Sequence, residues 1–135
     1  MSEEQNRRTV REFTRTFKNQ HDVAGAKHLF APGFQHHFKA PLPPGWDGLA
    51  AVGHMMNGAF PDVVVTEEDL IAGGDKIVER SSCVATHRGD FQGIAATGKP
   101  VRWTEIHIYR LEGGKIAEHW AEFSLFELVQ QMRPT

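Results

Sequence analysis

The stretch VRWTEIHIYRLEGGKIAEHWAEF, residues 101–123, decides the fold. Polar and apolar side chains alternate along it on both sides of Gly113-Gly114, a pattern typical of two antiparallel strands joined by a tight turn. Upstream, Gly73-Gly74 joins two further strand-like runs over 63–72 and 76–87. The four runs predict a sequential antiparallel sheet.

Helical spacing precedes this sheet. Ser2-Glu3-Glu4-Gln5 has the form of a capping box and predicts a first helix. Asp22 can cap a second helix, ended by Ala31-Pro32-Gly33, and Asp47 can cap a third, ended by Pro61-Asp62. The other predicted segments are a strand over 34–39, a loop over 40–48, a loop over 88–100 that can cover a pocket mouth, and a last helix opened by a second capping box over 124–127.

Helices first and sequential strands afterwards predict one α+β domain over residues 1–135. This order excludes the alternating strand and helix pattern of dinucleotide-binding folds, and neither Gly-x-Gly-x-x-Gly nor a Walker motif is present. A curved antiparallel sheet wrapped around N-terminal helices leaves a space lined by inward side chains, where ligand pockets commonly form. We therefore expect a pocket for a small, mostly apolar organic molecule.

Composition narrows the possible partners and the location. The formal charge of the 135 residues is −2, without the basic stripe that binds phosphates or anionic lipid, so neither nucleic acid nor membrane is an expected partner. Cys83 is the single cysteine, which excludes an internal disulfide and favours a reducing compartment. The first eight residues are polar where a signal peptide is apolar. These features predict a cytoplasmic protein.

Strand alternation over 102–109 separates two faces. One face carries Trp103, Glu105, His107 and Tyr109, and the other carries Arg102, Thr104, Ile106 and Ile108. The first set has the chemistry of a pocket wall. The alternative is that this set lies in solvent or in a dimer contact, while Ile106 and Ile108 point to the core.

Several strings, taken together, resemble the SnoaL-like polyketide cyclases of the nuclear-transport-factor-2-like superfamily, over nearly the whole chain and in the same order. The strings are AFPD at 59–62, EEDLIAGGDK at 67–76, TGKPV at 97–101 and GKIAEHW at 114–120. The resemblance implies a cone-shaped curved sheet around N-terminal helices and an intramolecular aldol condensation that uses no cofactor. It also implies a homodimer formed through the outer face of the sheet.

One position departs from that family. An aspartate that acts as acid/base follows the segment matching Glu118-His119-Trp120, and this chain has Ala121 there. His107 matches a pocket histidine, and His36 matches a polar pocket residue of the early strand. The resemblance thus implies a retained scaffold without its expected acid/base.

An aldol closure needs a group that titrates near neutral pH and a donor that faces the carbonyl oxygen, but no metal or nucleotide. His107 is the candidate acid/base because imidazole titrates nearest neutrality. Glu105 can orient it, although strand positions two apart lie about 7 Å from each other, so contact requires the long glutamate arm or a water. The candidate substrate-binding residues are His36, Trp103, Tyr109, His119, Phe60 and Met56. No metal site is expected, since His36 and His37 point to opposite faces.

The register of the last hairpin is open. A two-residue turn at Gly113-Gly114 places Ala121 opposite Ile106, whereas a three-residue turn with a bulge places it opposite His107. Analogy with the family favours the second arrangement.

Three functions follow. The leading hypothesis is a cofactor-independent enzyme that performs aldol-type cyclisation of a polyketide-like or cyclic carbonyl compound. The second, motivated by Ala121, is another proton transfer on the same scaffold, such as dehydration, isomerisation or hydroxylation. The third is a small-molecule binder or interaction protein without turnover.

Overall fold

The computed structural model describes residues 2–38 and 40–133. Three helices, five strands and two short helical segments follow in chain order. They are α1 (Glu3–Phe13), a π-helical segment (Thr14–Asn19), a 3-10 helix (Ala24–Leu29), β1 (Phe30–His37), α2 (Trp46–Ala59), β2 (Val64–Gly73), β3 (Lys76–Thr86), β4 (Pro100–Glu112), β5 (Lys115–Phe123) and α3 (Leu125–Met132).

The strands form one curved sheet in the order β1-β5-β4-β3-β2. The predicted antiparallel succession of β2 to β5 is confirmed. β1 joins β5 in parallel, with His36 beside His119. This parallel pair closes the N-terminal half of the chain onto the last strand, a contact that local sequence patterns do not encode.

The predicted first capping box is present. Ser2 Oγ accepts a hydrogen bond from the Gln5 backbone N–H at 3.1 Å, and Gln5 Oε1 accepts one from the Ser2 backbone N–H at 3.1 Å. These two bonds satisfy donors that a helix start leaves without partners. α1 then passes directly into the π-helical segment, a wider turn that is often found at functional sites.

Two of the other predicted caps are wrong. Asp47 lies inside the first turn of α2, because the helix begins after an extended Gly45. Ser124 precedes α3, but its hydroxyl bonds to the Thr104 backbone instead of the helix start. The second helix is a short 3-10 turn and ends before Phe30, where β1 begins, although Asp22 does accept a bond from the Gly25 N–H at 2.9 Å.

The last hairpin combines the two registers that the sequence left open. Glu112 pairs with Lys115 across a two-residue turn at Gly113-Gly114. The register then shifts by one at Ala117, a bulge, so that His107 lies opposite Ala121. The favoured pairing is confirmed, although the extra residue sits in the strand and not in the turn.

The core consists of two apolar clusters. The first packs α1, the π-helical segment, β1 and the start of α2 against the inner face of the sheet, around Phe13 and Tyr109. The second packs the end of α2, the 88–100 loop and α3 around Phe60 and Trp103. A cavity lies where they meet, since its lining includes members of both. Within the described ranges no helix has the length and apolar character needed to cross a membrane.

Candidate active site

The inner face of β4 carries a row of buried polar and aromatic side chains. Trp103, Glu105, His107 and Tyr109 are all at most 5% exposed, whereas Ile106 is 46% exposed. The alternative in which Ile106 points to the core is therefore wrong. Alternation along the strand predicted this face correctly.

Glu105 and His107 are in direct contact. Glu105 Oε1 lies 2.6 Å from His107 Nε2, and the Trp103 indole N–H donates to Glu105 Oε2 at 2.7 Å. Burial by itself would favour the neutral acid, but the Lys18 ammonium and the bonds from His107 and Trp103 hold the pKa of Glu105 well below its usual range. Glu105 is thus a carboxylate at neutral pH, and His107 Nε2 is assigned the proton because a carboxylate only accepts.

His107 contacts a second histidine through its other ring nitrogen. His107 Nδ1 lies 2.8 Å from His119 Nε2, and the two rings stack with centroids 5.0 Å apart. Burial, together with the neighbouring charges of His107 and Lys18, lowers the pKa of His119 well below its usual value. His119 Nδ1 is buried and has no hydrogen-bond partner among the described residues. The series Glu105–His107–His119 therefore ends in an unprotonated nitrogen that has no hydrogen-bond partner among the described residues.

The lowered pKa of His119 predicts a stability change between pH 7.5 and 5.5. Below the unfolded pKa of about 6.5 the unfolded chain takes up a proton that folded His119 refuses, so stability falls as pH falls, by up to about 1.4 kcal/mol per pH unit per proton. His36, whose pKa burial also lowers, acts in the same direction. We expect His119→Asn to flatten this dependence in urea unfolding. An equal slope in His119→Asn and the unaltered protein contradicts the prediction.

Two charged residues beside this series, Lys18 and Glu79, were not predicted from the sequence. Lys18 Nζ lies 3.0 Å from His107 Nε2, 3.5 Å from Glu105 Oε1 and 3.6 Å from Glu79 Oε1. Glu79 is fully buried and accepts hydrogen bonds from the Thr14 hydroxyl at 2.7 Å and the Tyr109 hydroxyl at 3.3 Å. Burial alone would lower the pKa of Lys18, but the two carboxylates outweigh it and raise that pKa.

A signal for Glu79 was present in the sequence. Along β3 the buried positions alternate from Ile77 to Ala85, and Glu79 occupies one of them, opposite His107 of β4. Lys18 had no comparable signal, because its position follows from the π-helical segment and from contacts with distant strands. Period-two alternation therefore finds Glu79, while helical periodicity does not find Lys18.

The cavity at these polar groups is small and mostly apolar. Its volume is about 60 Å³, less than half of the roughly 150 Å³ that accommodates benzene in an engineered cavity. An adjoining vestibule of about 450 Å³ opens beyond it, with Phe91 and Gln92 of the 88–100 loop in its wall. Four residues line both spaces, and we call this shared set the neck, namely Phe38, Val52, Met56 and Phe123.

The predicted site residues lie in three different environments. Trp103, His119 and Met56 line the cavity together with Glu105 and His107. Tyr109 and Phe60 are fully buried in the core and are not part of the cavity lining.

His36 and Ala121 line a different depression, at the end of β1. The His36 Nε2–H donates to the Pro43 carbonyl at 2.9 Å. A Cβ on Gly48 would lie 1.9 Å from that carbonyl oxygen and 2.5 Å from His36 Nε2, so this close approach requires glycine. His37 is on the opposite face, where its Nε2 bonds to Glu118 at 2.7 Å, as the predicted exposed position implies.

No group of three or more histidine, cysteine or acidic side chains in residues 2–38 and 40–133 is arranged to hold a metal ion. The mostly hydrocarbon wall of the cavity instead carries one carboxylate, one ammonium and two imidazoles, and a second carboxylate, Glu79, lies 3.6 Å from the ammonium outside the lining. Such a set can move protons and stabilise charge without a bound cofactor.

Comparisons with known proteins agree with this fold. The model of the family described as SnoaL-like polyketide cyclase matches residues 8–132. Wild-type IdmH, a candidate polyketide cyclase from Streptomyces antibioticus, is 27% identical, with a TM-score of 0.80 and coverage of 93% of this chain and 96% of that one. TsrD from Streptomyces laurentii is 26% identical, with a TM-score of 0.87 and coverage of 98% and 97%.

A third similar structure is AclR from Streptomyces galilaeus, a candidate hydroxylase. It is 24% identical, with a TM-score of 0.88 and coverage of 97% of both chains, which shows a shared fold alone. A search of curated proteins gave no match.

Proposed function

Because the chain belongs to the SnoaL-like polyketide cyclase family, we propose that it is a cofactor-independent acid/base enzyme acting on a polyketide-like or cyclic carbonyl compound. The reaction is an aldol-type ring closure or a related proton transfer. The observation that supports it is the hydrogen-bonded series Glu105–His107–His119, whose three side chains line an apolar cavity and whose last nitrogen, His119 Nδ1, has no partner among the described residues.

The proton path follows from which nitrogens are occupied. Both ring nitrogens of His107 have partners, whereas His119 Nδ1 has none within the described part of the chain. His119 Nδ1 removes the proton from the carbon beside the substrate carbonyl, and its Nε2 proton passes to His107 Nδ1. The resulting His107 imidazolium is stabilised by ionised Glu105, and the reverse transfer protonates the new alkoxide. The proton taken from carbon is thus returned to oxygen, and an aldol ring closure has no net gain or loss of protons.

Deuterium exchange tests this function without knowledge of the natural substrate. An enzyme of this class should exchange the hydrogens beside the carbonyl of a cyclic aromatic ketone such as 2-tetralone in D₂O. We expect exchange above the buffer rate, followed by NMR. Binding of 2-tetralone without any exchange contradicts the enzyme proposal and favours the small-molecule binder.

The two adjoining spaces suggest how a larger substrate is held. The cavity of about 60 Å³ cannot contain a ring system, whereas the vestibule of about 450 Å³ can. The reacting carbonyl arm therefore enters through the neck while the rings stay in the vestibule. Met56, unbranched and adaptable, is the neck side chain best suited to move.

Replacing Met56 should change this selectivity. We expect Met56→Ala to tighten binding of a tricyclic anthraquinone by about tenfold, or about 1.4 kcal/mol, because a crowded neck costs about that much to open. His54 is exposed on the same helix and belongs to the lining of neither space, so His54→Ala is the matched control and should change affinity less than twofold. Quenching of tryptophan fluorescence by the probe measures both. Equal effects of the two substitutions contradict a gate at the neck.

A second enzymatic function is favoured by one departure from the family. Ala121 replaces the expected aspartate, and AclR, which shares this fold, is described as a candidate hydroxylase. A hydroxylation of an activated aromatic ring consumes dioxygen, whereas an aldol closure does not. Oxygen uptake during turnover of an anthrone probe therefore separates the two reactions.

The homodimer and the cytoplasmic location stay predictions. The outer face of the sheet exposes Val64, Ile71, Val84 and Ile106, an apolar set that supports the predicted contact with a second copy. Sedimentation velocity tests the homodimer.

A further inference from the structure

Lys18 is the one lysine or arginine in the lining of the inner cavity that the structure describes. It belongs to the π-helical segment, and its side chain is 12% exposed. The wider π turn directs this position toward the inner face of β4, where its ammonium reaches both buried carboxylates. A cation thus stands at the same cavity as the proposed proton path.

The ammonium is incompletely hydrogen bonded. Its contacts with Glu105 and Glu79 are 3.5 Å and 3.6 Å long, whereas a charge-assisted N–H···O bond is typically about 2.7–2.9 Å. Its 3.0 Å approach to His107 Nε2 is no substitute, because that nitrogen carries a proton directed at Glu105. An ammonium has three N–H donors, and Lys18 makes only two long contacts with them. At least one donor is therefore available to a ligand in the cavity.

The proposed reaction needs a group of this kind. Removing a proton beside a carbonyl places negative charge on the carbonyl oxygen, and a preorganised donor in a low-dielectric site is a strong stabiliser of that charge. Trp103 cannot serve, since its indole N–H is already donated to Glu105. Asn57 is the remaining amide donor in the lining, and its Oδ1 is held by His21 Nδ1 at 2.7 Å.

We propose that the Lys18 ammonium binds the ligand's oxyanion, the enolate or phenolate oxygen formed when His119 takes the proton. The inference rests on the proposed function and adds the group that stabilises its intermediate. The proton moves from substrate carbon to His119 and the negative charge moves to oxygen, so the summed charge of site and ligand is unchanged. Lys18 then pairs with that oxygen while the proton remains on the histidines.

A phenol whose colour reports ionisation tests the proposal. The probe is 4-nitrophenol, and 4-nitroanisole, which cannot ionise, is the control ligand. The variant is Lys18→Met with Glu79→Gln, because removing one positive and one negative charge keeps the formal charge of the site equal to that of the unaltered protein. The readout is the pH at which the bound probe is half ionised, measured by absorbance.

We expect that midpoint to lie at least 1 pH unit higher in the double variant, a tenfold weaker preference for phenolate, with 4-nitroanisole affinity within twofold in both proteins. An unchanged midpoint with retained binding overturns the proposal and leaves Lys18 as a counter-ion of two carboxylates. A shift found in Asn57→Leu instead assigns the oxyanion to Asn57. If neither probe binds the unaltered protein, the proposed function fails, and this inference fails with it.

A second measurement needs no substitution. In a crystal structure of the unaltered protein with 4-nitrophenol, the phenolic oxygen should lie within hydrogen-bond distance of Lys18 Nζ. An oxygen more than about 4 Å from Lys18 and bonded to another residue overturns the proposal, whatever the folding of the double variant.

Discussion

Replacing His107 by glutamine is expected to lower the rate of deuterium exchange into 2-tetralone by about 10²–10⁴-fold, the usual contribution of a general acid/base. Glutamine can hydrogen bond, but it cannot pass a proton from His119 toward Glu105 or become a cation beside that carboxylate. Binding of the ketone should change little, because most of the cavity wall is hydrocarbon. NMR gives the exchange rate, and fluorescence quenching gives the affinity.

His37→Gln is the matched control, since His37 is the same residue type on the opposite face, where it bonds to Glu118. It should leave the exchange rate within about twofold of the unaltered protein, as surface changes usually do. An exchange rate in His107→Gln that stays within about threefold removes His107 from the proton path. Loss of ketone binding in that variant would instead show that His107 holds the ligand.

Replacing Lys18 by methionine is expected to lower the free energy of unfolding by about 3–5 kcal/mol, the typical cost of removing one partner from a buried ion pair. Methionine has a similar shape, so the effect is chiefly electrostatic. The substitution leaves Glu79, which is fully buried, and Glu105, whose side chain is 6% exposed, without their shared cation. Urea unfolding followed by circular dichroism measures the loss.

Adding Glu79→Gln to Lys18→Met should recover much of that stability, because the amide removes one of the two unpaired charges. Exposed Lys27→Met, in the 3-10 helix and outside the cavity lining, should cost less than about 0.5 kcal/mol. A cost below about 1 kcal/mol for Lys18→Met would mean that water reaches the carboxylates. The same result would weaken the case for a low-dielectric site around the proposed oxyanion.

In the proposed mechanism, the residue two positions before Ala121 takes the role of the missing aspartate. His119 and Ala121 lie on one face of β5, opposite Tyr109 and His107 respectively. In the proposed mechanism His119 supplies the basic nitrogen that the family places at the position of Ala121. His119 is part of the string GKIAEHW through which the chain resembles the family, so the proposal gives the acid/base role to a residue of that shared string, and the loss of the aspartate does not require loss of activity.

Strand alternation predicted much of the site. Trp103, Glu105 and His107 share one face of β4, and period two suffices to place them together. From the sequence, contact between Glu105 and His107 was expected only through the long glutamate arm or a water. The structure shows a direct contact of 2.6 Å, because the glutamate side chain is long enough to span the two-residue repeat of the strand. Tyr109 and Phe60 were predicted to bind substrate but lie in the core, because a residue pattern gives the face of an element and not the depth of a side chain relative to a cavity.

The caps at Asp47 and Ser124 were wrong for a related reason. Short polar side chains favour helix starts, yet they bond equally well to any backbone group that lies closer. The β4 backbone at Thr104 lies within reach of the Ser124 hydroxyl, and no local pattern contains that information.

The sequence by itself determined the α+β class, the four-strand succession and the inward face of β4, because each depends on periodicity and turn chemistry within one segment. Only the tertiary structure decided the parallel pairing of β1 with β5, the bulge at Ala117 and the meeting of Lys18 with Glu79 and Glu105. The strand pairing and the Lys18 contacts join residues far apart in the chain, and their energies depend on which carboxylate or strand is excluded from water beside them, whereas the bulge is a choice of register that the hairpin sequence left open. Local sequence propensities carry no information about such tertiary burial. The cluster of Lys18, Glu79 and Glu105 is therefore visible only in the folded structure.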